Sequence, residues 1–205
     1  MTAHGSMTAH SELPRRSVSV AFRRGELDLH IEVPDAPFVA FTGPNGAGKT
    51  TVLRCLAGLE HDATVRWAGS PPVRLGYLPQ RVMLYPAMSL ADNIASSLRF
   101  VGVDRAAAAH RAAALLDLVD IGELARRRPH EVSGGQRQRA GLARAIAAQP
   151  ELLLLDEPFS AIDADSRADV RARIIDHITE SGARCVLATH DPADIEASAA
   201  TTLTL

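Results

Sequence analysis

Gly43-Pro44-Asn45-Gly46-Ala47-Gly48-Lys49-Thr50 decides the fold. The segment fits the pattern G-x-x-x-x-G-K-[ST] of a phosphate-binding loop, which requires a strand before it and a helix after it. Both are legible. Residues 37–42 form a short apolar run entering Gly43, and residues 50–59 read as a helix with Val52, Leu53, Leu56 and Leu59 on one face and Gly58 as its stop signal. Glycines let such a backbone curl until successive N–H groups point at phosphate oxygens, and the helix start adds its positive dipole end. Lys49 is placed to reach the β- and γ-phosphates as a compact charge. The Thr50 hydroxyl is placed to ligate Mg²⁺, and Thr51 completes the nucleotide cradle.

Composition sharpens the reading of that lysine. Of 22 basic residues among 205, 21 are arginine and Lys49 is the one lysine. The bias leaves no lysine for the Asn-Lys-x-Asp segment with which guanine-specific switches recognise their base. Hydrophobic residues at 46% and charged residues at 22% describe a globular chain, and the length suits one domain carrying an inserted lobe. A formal charge of −2 argues against nucleic acid as a partner. Arg126-Arg127-Arg128 lacks interleaved aromatics and reads as a solvated helix end. Cys55 and Cys185 sit in apolar surroundings and suit a reducing compartment. No run approaches the 18 apolar residues of a membrane span. Met1–His4 recurs as Met7–His10 around Gly5-Ser6, which predicts a tag remnant or disordered leader over residues 1–10.

A second element completes a nucleotide site. Leu152-Leu153-Leu154-Leu155 reads as a strand buried on both faces and runs into Asp156-Glu157-Pro158. The Asp156 carboxylate at the strand end is placed to hold the Mg²⁺ shell. Glu157, one residue on, is placed to address a water at the γ-phosphate. Around these motifs, strands are expected at 17–22, 27–33, 65–67, 74–78 and 185–189. Helices are expected at 89–100, 105–119, 122–126, from 134 to 148, at 167–179 and at 193–199. Strands alternating with helices around a helix-only middle third specify α/β with an inserted α lobe.

The middle third carries Val132-Ser133-Gly134-Gly135-Gln136, followed by Arg137-Gln138-Arg139. With the two phosphate motifs, this resembles the ATP-binding cassette (ABC) family, whose signature is Leu-Ser-Gly-Gly-Gln. Val132 and, later, Ile162 are apolar departures from leucine. The resemblance covers the chain from about residue 17 onward. It implies a P-loop NTPase with a RecA-like core, an N-terminal antiparallel β subdomain and an inserted α-helical subdomain. Residues 17–84 and 150–205 would form the core, and residues 85–149 the helical lobe.

The resemblance also implies roles. Gln80, 31 residues after Lys49 (80 − 49), matches the glutamine that reaches Mg²⁺ and senses a membrane partner. Ser160-Ala161-Ile162-Asp163 matches the loop that crosses to a second subunit, and His190 matches the switch histidine at the γ-phosphate. Phe22 either stacks on adenine or belongs to the core. ATP and Mg²⁺ follow as ligands, with Ser133, Gly134, Gly135 and Gln136 facing the ATP of the other copy. A head-to-tail homodimer, or a heterodimer of two cassettes, is the implied assembly.

Transmembrane permease subunits are the implied partners, so the expected location is the cytoplasmic face of the cell membrane. Leu84-Tyr85-Pro86 and the DEPFSAID stretch at 156–163 resemble bacterial importers of the molybdate and sulfate type, which would add a solute-binding protein. The alternative is a soluble, non-transport ABC ATPase of the cluster-assembly, repair or translation kind.

Overall fold

A computed structural model describes residues 17–205; the repeat at 1–10 lies outside the described residues. Two sheets share helix α1 between them. β1 (Val18–Arg24) pairs antiparallel with β2 (Leu27–Val33) on one side and with β4 (Thr64–Trp67) on the other. Val18, Val20 and Phe22 alternate inward along β1 while Ser19 and Ala21 face out, the period-2 pattern of a sheet covered on one face.

The second sheet is parallel, in the order β5-β6-β7-β3-β8. Its strands are β3 (Phe38–Thr42), β5 (Leu75–Leu78), β6 (Leu152–Asp156), β7 (Arg184–Ala188) and β8 (Thr201–Thr204). β6 is buried along its whole length, as its unbroken leucine run requires of a strand covered on both faces. α1 (Lys49–Leu56) packs Val52, Leu53, Cys55 and Leu56 into a core shared by both sheets.

Between β5 and β6 the chain is helical. α2 (Leu90–Phe100), α3 (Arg105–Leu118) and α4 (Gly134–Ala147) form a lobe whose core joins the far face of the parallel sheet through Leu78, Leu153 and Leu155. Each start carries its own cap: the Ser89 side chain accepts from Asp92 N–H, and Asp104 from Ala106 and Ala107. α5 (Ala164–Ser181) and α6 (Pro192–Ser198) close the fold on the same face.

Four elements differ from the sequence expectation. α1 ends at Leu56 rather than 59, and Leu59 lies beyond it, 47% exposed. Residues 122–126 make only a 3-10 turn, Gly122–Leu124. α5 begins three residues before the expected 167, because Asp163 caps it by accepting from Ser166 N–H at 3.0 Å. β8 was not expected at all. Its Thr-Thr-Leu-Thr run offers one apolar residue, and it becomes a strand only by adding to the edge of β3.

Candidate functional site

The C-terminal ends of β3, β6 and β7 meet at one edge of the parallel sheet, the edge at which open α/β sheets bind ligands. β3 delivers the loop 43–48. Gly43, Gly46 and Gly48 take φ values of 126°, 86° and 100°, left-handed conformations that side chains disfavour. Pro44, Asn45 and Gly46 form the exposed crest, and Ala47 N–H donates to the Pro44 carbonyl at 3.3 Å. The Lys49 side chain folds back under the crest. Its Nζ donates to the Gly43 carbonyl at 2.8 Å and the Pro44 carbonyl at 2.9 Å. An ammonium has three N–H donors, so one is left for an incoming phosphate.

Thr50 Oγ1 donates to Asp156 Oδ2 at 2.8 Å and so joins the start of α1 to the end of β6. Asp156 is 2% exposed. Burial holds its carboxyl above the usual carboxylate range, and nearby Glu157 adds to the rise. The Thr50 hydroxyl, the Gln80 backbone and the Lys49 charge all oppose it. Gln80 thus lies beside Asp156, two residues beyond β5. The Asp156 carboxylate and the Thr50 hydroxyl are oxygen donors of the kind that suits a hard cation.

Glu157 leaves β6 with φ 50°, its N–H donating to the Ala188 carbonyl at 2.9 Å. Its side chain is 12% exposed, and Oε1 lies 2.8 Å from His190 Nδ1. The hydrogen bond to Glu157 holds the imidazole above the ordinary histidine value. A cavity of about 250 Å³ opens beside the pair, lined by Ser160, Arg167 and Asp191 among others.

The residues flanking His190 are pinned from below. Thr189 Oγ1 donates to Asp194 Oδ2 at 2.6 Å, and Arg171 Nε donates to Asp194 Oδ1 at 2.7 Å. Arg171 also reaches Asp191 Oδ2 at 3.0 Å. Sequence reasoning missed this support, since Arg171 on α5 and Asp194 on α6 fit no local pattern.

Ser133 is the N-cap of α4. Its Oγ accepts from Gln136 N–H at 3.2 Å, while Gln136 Oε1 accepts from Ser133 N–H at 2.9 Å, a reciprocal capping box. Ser133 and Gly134 are exposed. Gly135 is not free: a Cβ there would stand 2.8 Å from the Ala161 carbonyl oxygen. Arg139, 8% exposed at its side chain, binds Asp163 Oδ2 at 2.7 Å and Asp120 Oδ2 at 3.3 Å. The chain therefore seats the Ser133–Gln136 turn on its own 160–163 loop, with each of the two side chains accepting from the other residue's backbone N–H.

Phe22 is a core residue, the second of its two readings. It is 3% exposed on the inward face of β1, and the Arg24 guanidinium lies 5.0 Å from its ring centroid. No face of the ring is open to a base. Arg126, Arg127 and Arg128 are exposed, with Arg127 paired to Glu131 at 3.6 Å.

The family profile described as ABC transporter matches residues 27–160. The aliphatic sulfonates import ATP-binding protein SsuB 1 of Paracoccus denitrificans is 39% identical over 191 residues, 93% of this chain and 77% of that protein. The sulfate/thiosulfate import ATP-binding protein CysA of Escherichia coli K12 is 40% identical over 177 residues, 80% of this chain but 48% of that protein. The chain thus spans about three quarters of one relative and about half of the other. Among solved structures, the dimeric post-hydrolysis state of the ATP-binding cassette MJ0796, bound to ADP and Pi, superposes with a TM-score of 0.76 at 23% identity. It covers 92% of this chain and 94% of its own, and shows the same fold. The family match over residues 27–160 and the import ATP-binding relatives establish that the chain belongs to the ABC transporter family.

Proposed function

We propose that this cassette hydrolyses Mg²⁺–ATP to drive solute import through separate membrane subunits. The observation that carries the reading is the convergence of Lys49, Thr50–Asp156 and Glu157–His190 on one sheet edge. Thr50, Asp156 and Gln80 would hold Mg²⁺, with one carboxylate among them and the remaining ligands coming from phosphates and water. Bound there, the ion would neutralise charge on the phosphates.

The chain's own groups divide the rest. Lys49 keeps one N–H for the phosphates. Glu157 takes a proton from water as its oxygen bonds to the γ-phosphorus. The bond from that phosphorus to the bridging oxygen breaks, and ADP leaves with the electron pair. His190, held by Glu157 and by the Arg171–Asp194 support, orients the γ-phosphate.

Ser133 and Gly134 stand exposed at a capped helix start, which supports a second copy supplying the facing phosphates. A head-to-tail dimer meets that need. A groove between the lobe and the parallel sheet supports docking of a membrane subunit. It is lined by Met83, Tyr85, Phe100 and Val101, with Phe100 92% and Met83 73% exposed. No helix among the described residues is long and apolar enough to cross a membrane. Attachment to the cytoplasmic face of the membrane subunits is the proposed location. The import direction rests on the sulfonate and sulfate relatives, whose systems would also bring a solute-binding protein.

Expression of the tagged chain with its cognate membrane proteins tests the assignment. A multispan subunit should co-purify and raise ATP turnover, and Phe100→Asp should release it. Full ATPase activity with only soluble partners, unaffected by Phe100→Asp, would instead identify a non-transport ABC ATPase.

A further inference from the structure

Gln138 lies in the second turn of α4 and is 4% exposed. Its Nε2 donates to two successive carbonyls, Glu157 at 3.2 Å and Pro158 at 3.1 Å. One of these belongs to the residue read above as the base. At φ 50°, Glu157 occupies a region that a residue with a side chain keeps only when its surroundings hold it there. Its N–H is held by Ala188 of β7. Its carbonyl also accepts from Ser160 Oγ at 3.0 Å and more weakly from Ser160 N–H at 3.4 Å. The Ser160 bonds are local to the turn. The Gln138 bonds come from another element.

We propose that Gln138 is a positioning residue for ATP hydrolysis. By clamping the 157 and 158 carbonyls, it fixes the left-handed turn from which the Glu157 carboxylate reaches His190 and the attacking water. The clamp also ties that turn to the helix whose first turn is Ser133–Gln136. Gln138 stands five positions after Ser133 (138 − 133) on the same helix, and Gly135 rests on Ala161 between them. The inference rests on Glu157 acting as the base. The bland reading is a buried amide that finds two spare acceptors and matters only for folding.

Gln138→Met keeps the length and volume of the side chain and removes both donors. The expected result is a fall in kcat of about tenfold or more with the KM for ATP held within about twofold, the mark of lost transition-state positioning. In a Glu157→Gln background, Gln138→Met should leave ATP-driven dimer formation unchanged, since α4 still presents an intact cap. Gln138→Leu, uncharged and likewise without donors, provides a second variant should the methionine chain unfold, and thermal unfolding is followed for both. An unchanged kcat overturns the proposal, as does a loss of kcat that is matched by loss of ATP affinity and of dimerisation. Glu157→Gln measured alone separates the two levels: parental turnover there removes the base assignment and this inference with it.

Discussion

His190 Nδ1 and Glu157 Oε1 are 2.8 Å apart, although they stand 33 positions apart in sequence (190 − 157). The carboxylate raises the histidine pKa above the ordinary value of 6.5. A raised pKa means that protonated His190 gains a partner on folding. Its contribution to stability is complete below about pH 6.5 and is lost as pH rises through the raised value. An NMR titration of the imidazole should find a midpoint above 6.5, and Glu157→Gln should bring it down. A midpoint unmoved by that substitution would show that the pair is not coupled in solution.

Glu157→Gln should keep ATP binding and lose turnover by about a hundredfold or more, as expected for removal of a general base. Without hydrolysis to reopen it, the nucleotide-bound dimer should accumulate. Size-exclusion chromatography with Mg²⁺–ATP and a phosphate-release assay report the two halves separately.

Lys49→Arg keeps the charge but should weaken ATP affinity by about tenfold or more, because a planar fork does not replace an ammonium point charge. Nζ fits between the Gly43 and Pro44 carbonyls at 2.8 and 2.9 Å, which leaves little space for a guanidinium. Titration calorimetry with ATP measures the difference, and equal affinity would contradict the loop geometry.

The two glycines of the Ser133–Gln136 turn should behave differently. Gly134→Ala meets nothing nearer than Arg137 Nη2 at 3.9 Å and should leave the isolated chain's melting temperature nearly unchanged. Gly135→Ala drives a methyl against the Ala161 carbonyl, an overpacking that should cost about 1–3 kcal/mol. Thermal denaturation of the two variants compares them directly.

Arg171→Met should destabilise the fold by about 3–5 kcal/mol, because it leaves the Asp194 carboxylate, 3% exposed, without its cation. Burial already lifts the Asp194 pKa, and Arg171 opposes that lift. The Arg171→Met loss should therefore shrink at acid pH, where Asp194 protonates. Chemical denaturation at neutral and acid pH checks the direction.

Most elements were legible because their signals are local. The unbroken leucines of 152–155 fit a strand covered on both faces, and Ser89, Asp104 and Ser133 mark helix starts by their own chemistry. β8 was not legible, since 201–204 forms a strand only where β3 offers an edge. Phe22 was ambiguous for a related reason. Whether an aromatic in an alternating strand faces the core or a ligand depends on what covers the strand, and here the inward face of β1 is packed against α1.

The sequence by itself determined the chemistry at the phosphate end: a loop that needs glycines, one lysine retained against an arginine bias, and a strand ending in Asp156 and Glu157. Each of these is written within about eight consecutive residues, the range over which backbone geometry follows from residue type. Tertiary structure alone decided which groups hold the machinery in place. Gln138 grips the Glu157 turn, Arg139 grips Asp163, and Arg171 grips Asp194 and Asp191 across 19 to 24 residues of chain. Those bonds join separate helices and loops. Their partners are selected by how elements pack, and packing is a property of the whole core rather than of any segment.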